Sequence, residues 1–431
     1  MDLLARCPAQ SSTRILTDGS EEITLESLRC RVSDAAKRLN PEGATTGQVR
    51  PFQIQADVDG MIELLATWAA GLIPAPLNPK LTDDARQQAT AALSSVSTPP
   101  GTCVVLWTSG TSGQPRGVAL SWANLEASAR AAETRLGLCA DDVWLASLSP
   151  AHVGGLALIT RAFLLGNRLI AMGQFDVART VALLESDDGP THLSLVPTQL
   201  HQIREAWRST SAPPRLRCAL IGGAHTPRTL VERVTGEGWP IALTYGATEM
   251  SSQVATATPA EVTAGLHGVG LPLDGVEVRV AQDEEILLRG PTRALGYVGE
   301  VTASLTNESG WYHTGDLGRL DGDGRLTITG RRIDRIVTGG VTLDAIAIEE
   351  DLRLHPTVVD VCVVGVPDDV WGERVAAWVE PVHGEFDLDE FEAWVSRAMA
   401  PSARPRVWRV GDPLPRNANG KIDRACVRST F

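Results

Sequence analysis

The sequence predicts an α/β fold in which a large N-terminal domain of doubly wound, mostly parallel sheets, with a small β-barrel, precedes a small α+β C-terminal domain. Short apolar strands alternate with helices between Cys103 and Thr244, which is typical of a parallel sheet with ligand loops at its strand ends. After Pro272, strands with period-two alternation lie between glycine and aspartate turns, which indicates the small barrel. We expect domains over residues 1–330 and 331–431, because a chain of 431 residues favours two or three domains.

The first hundred residues are mainly helical. Apolar residues at helical spacing predict helices over Leu25–Leu39 and Asp57–Ala70, and the three prolines of GLIPAPLNP end the second pattern. Thr82, followed by two aspartates, predicts the start of a third helix, because acidic residues stabilise a helix N-terminus. Cys103–Trp107 then reads as a short buried strand.

The central region carries the alternation. Its predicted strands are Val143–Ser149, Arg168–Ala171, His192–Val196, Cys218–Ile221 and Ile241–Thr244, and its predicted helices are His152–Leu165 and Pro197–Trp207.

The last third contains the predicted small sheet and the tail. The strands of the small sheet are Val276–Val280, Glu285–Arg289 and Arg325–Thr329; the tail is predicted as helix Ala345–Leu354, strands Val358–Val366 and Arg374–Val379, helix Leu388–Met399 and a loop that ends at Phe431.

Composition excludes several classes of protein. A formal net charge of −13 argues against binding to duplex nucleic acid, which needs a basic face. The seven dispersed cysteines form no CxxC pair and indicate reduced thiols. The N-terminus has no signal-peptide pattern, and the apolar run near Ile62–Ala75 is too short to span a bilayer. We therefore expect a cytoplasmic protein without a membrane span; the sequence leaves a homodimer open.

The stretch Thr108–Gly117, TSGTSGQPRG, is a candidate phosphate-binding loop. It follows the strand Cys103–Trp107 and precedes a predicted helix that begins near Ser121. Three glycines and four hydroxyl residues offer backbone and side-chain donors to anionic oxygen, and Arg116 adds a positive charge. The stretch is not a Walker A loop, and taken alone it fits a surface linker equally well.

Four further motifs follow in order. Tyr245-Gly246-Ala247-Thr248-Glu249 comes after a strand, where a ring can stack on a base and a carboxylate can hold Mg²⁺. Asp316, in YHTGD, suits ribose hydroxyls, although for this motif alone an aspartate in a hairpin turn is the favoured interpretation. Arg331, in GRRID, marks the join of the two domains, and Lys421 lies in the glycine-containing stretch PRNANGKIDR. A lone lysine there is ordinarily a solvated charge.

In this order and at these separations, the five motifs resemble those of the adenylate-forming superfamily of acyl- and aryl-CoA synthetases, peptide-synthetase adenylation domains and luciferases. The resemblance covers nearly the whole chain from Leu64 to Lys421. It implies an enzyme that uses ATP and Mg²⁺ to activate a small carboxylic acid, with coenzyme A as a second substrate. The implied roles are: phosphate binding by Thr108, Ser109, Gly110, Thr111, Ser112, Gly113, Arg116 and Gly117; adenine binding by Gly222, Gly223, Ala224, Tyr245 and Gly246; an α-phosphate contact from Thr248; a Mg²⁺ contact from Glu249; ribose binding by Asp316 and Arg331; and catalysis by Lys421 during adenylation.

The resemblance also implies a mobile C-terminal domain, which rotates after adenylation so that Lys421 leaves and a thiol tunnel forms. Three positions depart from the family pattern. Arg116 stands where lysine is usual, Ile333 stands at the pivot with Asp334 one place later, and Val341-Thr342-Leu343 follows the glycine loop Thr338-Gly339-Gly340.

Two segments are similar to those of the o-succinylbenzoate–CoA ligases of menaquinone biosynthesis, namely SPAHVGGL around His152 and MSSQV after Glu249. We expect His152 to contact the region of the aromatic carboxylate, and Arg204 or Arg161 to pair with the second carboxylate, because a buried diacid needs a cation. The alternatives are another aryl- or acyl-CoA ligase, a stand-alone enzyme that loads a carrier protein, and a silent nucleotide-binding protein.

Overall fold

The computed structural model describes residues 3–40, 46–94, 96–108, 116–298, 305–382, 386–417 and 421–431. The α-helices in these ranges are α1 (Leu25–Leu39), α2 (Val58–Ala69), α3 (Asp83–Ser94), α4 (Trp122–Leu136), α5 (Val153–Leu165), α6 (Val177–Glu185), α7 (Pro197–Ala206), α8 (Arg228–Gly236), α9 (Pro259–Thr263), α10 (Ala345–Leu352), α11 (Leu388–Ala398) and α12 (Arg424–Ser429).

The strands are β1 (Arg14–Thr17), β2 (Glu22–Thr24), β3 (Val49–Gln53), β4 (Ile73–Leu77), β5 (Thr102–Thr108), β6 (Arg116–Ser121), β7 (Val143–Ala146), β8 (Arg168–Ala171), β9 (His192–Leu195), β10 (Cys218–Ile221), β11 (Ile241–Ala247), β12 (Ser252–Ala257), β13 (Leu271–Pro272), β14 (Glu277–Val280), β15 (Glu285–Arg289), β16 (Gly296–Val298), β17 (Tyr312–Leu320), β18 (Leu326–Arg331), β19 (Arg335–Thr338), β20 (Val341–Asp344), β21 (Val358–Asp368), β22 (Gly372–Pro381) and β23 (Val407–Val410).

A nine-stranded sheet is the largest in the described chain, with the order β13-β12-β11-β10-β9-β7-β8-β1-β2. The run from β11 to β1 is parallel, and the strands added at the two ends, β12, β13 and β2, pair antiparallel. Strands β7, β9 and β10 are buried at every position, which explains their continuous apolar sequences. The predicted mostly parallel α/β architecture is confirmed.

Polar side chains set the starts of several helices. Thr24, Asp57 and Ser121 each accept a hydrogen bond from a backbone N–H in the first turn of α1, α2 and α4. Such caps satisfy donors that have no partner within the helix. The helix starts predicted at Leu25, near Asp57 and near Ser121 therefore agree with the structure within one residue.

Smaller sheets complete the fold. Strands β16, β6 and β5 form a three-stranded sheet, β3 and β4 pair in parallel, and a four-stranded sheet has the order β14-β15-β17-β18. This last sheet lies where the sequence predicted a small barrel. The segment IPAPL, interpreted as a break because of its prolines, is instead the buried strand β4.

Residue contacts divide the chain into two compact units. The first comprises Met1–Gly223, Val234–Arg279 and Leu287–His313, and the second comprises Ala224–Arg233, Val280–Ile286 and Thr314–Phe431. In the second unit, β20, β19, β22 and β21 form a sheet with β23 beside β22, and the core includes Phe391, Val363 and Leu352. The predicted boundary after Gly330 stays a prediction.

The tail beyond α11 differs from the expectation of a loop. It contains β23, which pairs in parallel with β22, and α12, which buries Val427. Both elements are short and have only a few apolar residues, so periodicity alone does not reveal them. Across the described part of the chain, none of the helices has the length and apolar character that a bilayer-spanning segment needs.

Candidate active site

The predicted adenine-binding residues lie at the carboxyl ends of two neighbouring parallel strands. Ile221 of β10 pairs with Leu243 of β11, which brings Gly222 beside Thr244. A Cβ atom on Gly222 would lie 2.7 Å from Cγ2 of Thr244 and 3.1 Å from its carbonyl oxygen, so a side chain there would require Thr244 to shift. Tyr245 is the next residue of β11, and the structure therefore brings Gly222 and Tyr245 together at one sheet edge, where parallel sheets bind ligands.

The backbones of β11 and β12 approach each other closely just after Tyr245. The register between β11 and β12 shifts at Gly246, where a Cβ atom would lie 2.0 Å from the carbonyl oxygen of Ser252. Ser251 and Ser252 have φ values of 54° and 112°, in a region that side chains rarely adopt. Strain of this kind persists where surrounding structure enforces it, and it is concentrated at functional sites. The tight connection fixes the position of Thr248 and Glu249 relative to Tyr245.

Glu249 is held by a residue that the sequence analysis missed. The Tyr297 hydroxyl donates a hydrogen bond of 3.1 Å to Oε1 of Glu249, and burial together with this carboxylate raises the pKa of Tyr297 to about 12. The guanidinium of Arg116 lies 5.2 Å from the centre of the Tyr297 ring. The chain has only three tyrosines, and the other two, Tyr245 and Tyr312, belong to the predicted motifs. The rarity of tyrosine was therefore the one sequence feature that could have pointed to Tyr297.

The ends of the candidate phosphate loop are paired with each other. Thr108 closes β5 and Arg116 opens β6, and the two residues are partners in the ladder. Gly117 is buried in β6 between Val105 and Val298, so it packs inside this sheet. The predicted phosphate ligands Ser109, Gly110, Thr111, Ser112 and Gly113 lie outside the described residues.

His152 is the N-cap residue of α5, and its ring is oriented by Asn78. Its Nε2 lies 3.0 Å from Nδ2 of Asn78, whose Oδ1 accepts from the backbone N–H of Lys80. The Asn78 amide therefore donates to Nε2, which leaves the proton of a neutral imidazole on Nδ1. Asn78 lies in LNPK, within the region that carries the family resemblance, and its contact with His152 was not predicted from the sequence.

Of the two candidate arginines for the second carboxylate, Arg161 lies in the interior. It belongs to the third turn of α5, is 3% exposed, and donates from Nη2 to Oε1 of Gln253 at 2.9 Å. Its guanidinium lies 5.2 Å from the centre of the Trp144 ring, and its Nε has no hydrogen-bond partner in the described structure. Burial lowers the pKa of Arg161 to about 10, so it is charged at neutral pH.

The second candidate, Arg204, already makes an ion pair within the protein. On α7 it makes a two-pronged ion pair with Glu237, through Nε to Oε2 and through Nη2 to Oε1 at 2.7 Å. It also donates to the carbonyl of Trp207 at 3.1 Å. The structure therefore favours Arg161 over Arg204 as a cation available to a buried anion.

In the second unit, Lys421 lies near both predicted ribose ligands. Asp316 and Arg331 are paired across β17 and β18, with Nε of Arg331 2.9 Å from Oδ1 of Asp316. Lys421 is partly buried, and its pKa is lowered by burial and by the charge of Arg331, against the opposing effect of Asp316. The three predicted residues thus form one cluster.

Two arginines fix the segment that carries Lys421, and the sequence analysis did not predict either. Before it, Arg416 pairs with Asp360 at 2.7 Å; after it, Arg424 pairs with the buried Glu349 through Nη1 and Nη2, at 2.7 and 2.9 Å. The backbone N–H of Asn417 donates to the carbonyl of Lys421 at 2.8 Å. Each end of the segment is therefore tied to the core of its unit.

The predicted pivot region lies close to Arg424. Ile333 is 60% exposed, whereas Oδ2 of the adjacent Asp334 lies 3.7 Å from Nε of Arg424. Thr338 ends β19, and Gly339 and Gly340, both with positive φ, form the turn to β20; the role of this glycine loop stays a prediction.

Comparison with protein families gives two matches. The model of the AMP-binding enzymes matches residues 90–298, and that of the AMP-binding enzyme C-terminal domain matches residues 347–421. A 2-succinylbenzoate–CoA ligase of Bacillus cereus (strain Q1) is 36% identical over 75% of this chain and 69% of its own length. The chain belongs to the AMP-binding enzyme family. The predicted membership of the adenylate-forming superfamily is thereby confirmed, and the similar relatives belong to the ligase group that the sequence resembled.

Solved structures of the family agree. The o-succinylbenzoate CoA synthetase (MenE) of Bacillus subtilis, in complex with the acyl-adenylate intermediate OSB-AMP, has a TM-score of 0.88 at 25% identity over 99% of this chain and 97% of its own. A variant of E. coli MenE with bound OSB-AMS has a TM-score of 0.84 at 27% identity over 98% and 96%. ATP-bound MatB from Rhodopseudomonas palustris also has a TM-score of 0.88, at 23% identity over 100% of this chain and 98% of its own, which is a likeness of fold.

Proposed function

We propose that this chain is a cytoplasmic, ATP-dependent ligase that joins 2-succinylbenzoate to coenzyme A through an acyl-adenylate, as a step of menaquinone biosynthesis. In the first half-reaction, a carboxylate oxygen of the acid attacks the α-phosphorus of ATP and diphosphate leaves. In the second, the thiol sulfur of coenzyme A attacks the acyl carbon and AMP leaves. The similarity to 2-succinylbenzoate–CoA ligases supports the reaction class.

The observation that carries the choice of acid is the buried charge of Arg161. The cation has no carboxylate within ion-pairing distance in the described part of the chain, and burial of an unpaired charge is costly. An acid with a second carboxylate supplies the missing partner. A monocarboxylic acid leaves the charge uncompensated, so the site favours a diacid.

Separate residues are proposed for each part of the first half-reaction. Gly222 and Tyr245 provide the adenine site, and Asp316 and Arg331 suit the ribose. Glu249, held by Tyr297, fits Mg²⁺, since this ion is commonly bound by one or two carboxylates together with water and substrate phosphates. When bound, Mg²⁺ offsets the negative charge of the phosphates.

Lys421 is the proposed catalytic cation of that step. An ammonium group fixed before the reaction stabilises charge that develops between the attacking carboxylate and the α-phosphate. We propose that the lid that carries it comprises residues 331–431 and that its rotation admits coenzyme A for the second step. A homodimer stays a prediction.

A panel of carboxylates tests the proposal. The purified chain is assayed for acid-dependent ATP–diphosphate exchange with 2-succinylbenzoate and with two monoacids, 4-oxo-4-phenylbutanoate and 2-butanoylbenzoate, each lacking one of its carboxylates. The thioester product is then measured by mass spectrometry. We expect exchange and a coenzyme A thioester with 2-succinylbenzoate, and the monoacid that retains some exchange identifies the activated carboxylate.

The other outcomes separate the alternatives. Preference for a monoacid overturns the proposed substrate and favours another aryl- or acyl-CoA ligase. Exchange without a thioester favours transfer to a carrier protein, and absence of exchange with every acid favours a silent nucleotide-binding protein.

A substitution at His152 tests its predicted contact with the acid. We expect His152→Ala to lower kcat/KM for 2-succinylbenzoate by roughly 3- to 10-fold, the effect of one lost hydrogen bond, with KM for ATP unchanged. Steady-state kinetics of thioester formation measure this. Unchanged kcat/KM contradicts the assigned role, and Asn78→Ala gives a smaller loss in the same direction because it only releases the ring.

A further inference from the structure

Four described side chains that interact with the Arg161 guanidinium are neutral at pH 7. Trp144 and Gln253 carry no charge, burial lowers the pKa of His192 to about 4, and burial raises that of the Cys218 thiol to about 12. The carboxylate of Asp142, beyond His192, is already paired with Arg217. Within the described structure, the positive charge of Arg161 therefore faces no compensating anion.

The hydrogen bond from Arg161 to Gln253 has a defined direction. Nε2 of Gln253 donates to Oγ1 of Thr256 at 2.9 Å, Thr256 lies 2.8 Å from Oγ1 of Thr244, and Thr244 donates to the carbonyl of Ala255 at 3.0 Å. Only one assignment of protons satisfies this series of hydrogen bonds. The Thr256 hydroxyl accepts from Gln253 and donates to Thr244, and the Thr244 hydroxyl donates to the carbonyl of Ala255. The amide oxygen of Gln253 is thereby turned toward Arg161, because a reversed amide would place a donor against a donor.

We infer that Gln253 determines specificity: it positions Arg161 through a neutral acceptor, so that the guanidinium keeps its full charge for the non-reacting carboxylate of the substrate. The inference rests on the proposed function. An acidic residue at this position would hold the guanidinium equally well, but it would neutralise the charge that attracts the diacid. Gln253 is a positioning residue, since it acts through Arg161.

The series of hydrogen bonds that begins at Gln253 also explains how the amide oxygen of Gln253 stays in place. Gln253 is 2% exposed on β12, and Thr244 directly precedes Tyr245 on β11. The neutral acceptor is therefore built into the same pair of strands that carries Tyr245, the proposed adenine contact. The register shift between these strands lies at Gly246, so the pairing of Thr244 with Thr256 is regular.

The isosteric substitution Gln253→Glu tests the inference. We expect kcat/KM for 2-succinylbenzoate to fall at least about tenfold, while kcat/KM for the monoacid that the wild-type chain activates changes less than about twofold. We expect Tm to stay constant or rise, because the new carboxylate pairs with Arg161. A loss of diacid use together with unchanged or greater stability is not the result of a merely structural role.

Two further variants complete the design. Gln253→Met removes the acceptor without adding charge, and we expect a smaller loss with the diacid than for Gln253→Glu. Gln202→Glu makes the same chemical change at an exposed position of α7 and serves as the matched control. An equal effect of Gln253→Glu on diacid and monoacid, or no effect on either, overturns the inference. A wild-type chain that does not prefer the diacid overturns the proposed function first and this inference with it.

Discussion

Replacing Lys421 with alanine is expected to lower the rate of acyl-adenylate formation by about 10²- to 10³-fold, the usual cost of removing one preorganised group that stabilises developing charge. Formation of the thioester from preformed acyl-adenylate is expected to stay within about threefold of the wild-type rate, because the proposed rotation of residues 331–431 removes Lys421 before that step. ATP–diphosphate exchange measures the first half-reaction, and single-turnover thioester formation measures the second.

The control for this substitution is Lys37→Ala, which removes an exposed lysine of α1 that pairs with Asp34 at 3.4 Å. Surface pairs of this kind contribute little to stability, so both half-reactions are expected to be unchanged. Equal losses in both half-reactions of Lys421→Ala contradict the assignment of Lys421 to adenylation alone.

The pH profile gives a second readout of Lys421. Burial and Arg331 lower its pKa, so the ammonium loses its proton at a lower pH than an ordinary lysine. Because the proposed role of Lys421 in adenylation needs its charged form, exchange activity of the wild type is expected to fall on the alkaline side at a lower pH than an unperturbed lysine would give. Lys421→Ala is expected to lose that alkaline limb while keeping its low residual rate.

The second large effect is expected for Arg161→Met. Loss of a buried charge that pairs with a substrate carboxylate costs about 2–5 kcal/mol, so kcat/KM for 2-succinylbenzoate is expected to fall roughly 30-fold or more. The monoacid that the wild-type chain activates is expected to lose much less. The ratio of the two kcat/KM values, measured by thioester formation, isolates the contribution of the second carboxylate.

Stability separates this effect from damage to the fold. Among the described residues no carboxylate pairs with the buried Arg161, so Arg161→Met is expected to leave Tm unchanged or to raise it. Arg204→Met, at the alternative arginine, is expected to leave the diacid-to-monoacid ratio unchanged, since Arg204 is engaged by Glu237. A reversed result, with the ratio altered by Arg204→Met alone, contradicts the choice of Arg161.

Much of the fold was accessible from the sequence because its helices and parallel strands are buried along continuous or periodic apolar patterns. Helices α1 and α5 and strands β8, β10 and β15 lie where the patterns predicted them, within a residue. The strand β4 was missed because its prolines read as a break, yet its five residues are buried against β3. Short elements such as β23 and α12 depend on tertiary packing, to which local periodicity is insensitive.

The site shows a similar division. Tyr245, Asp316 and Lys421 were predicted because they lie in motifs of known order. Tyr297 and Gln253 received no role because their contacts join positions that the sequence does not connect: Tyr297 lies 48 residues from Glu249, and Gln253 lies 92 residues from Arg161. The choice between Arg161 and Arg204 likewise required burial and partners, which no linear pattern records.

The ion pairs of Arg416 and Arg424, on either side of Lys421, restrict how this chain can be recombined with its relatives. Asp334, Glu349 and Asp360 lie before the lysine segment, and their partners Arg416 and Arg424 lie on either side of it. A chimera whose crossover falls between Asp360 and Arg416 inherits carboxylates from one parent and arginines from the other. Since a buried carboxylate without its arginine is strongly destabilising, exchangeable blocks begin upstream of Asp334 and continue through Arg424.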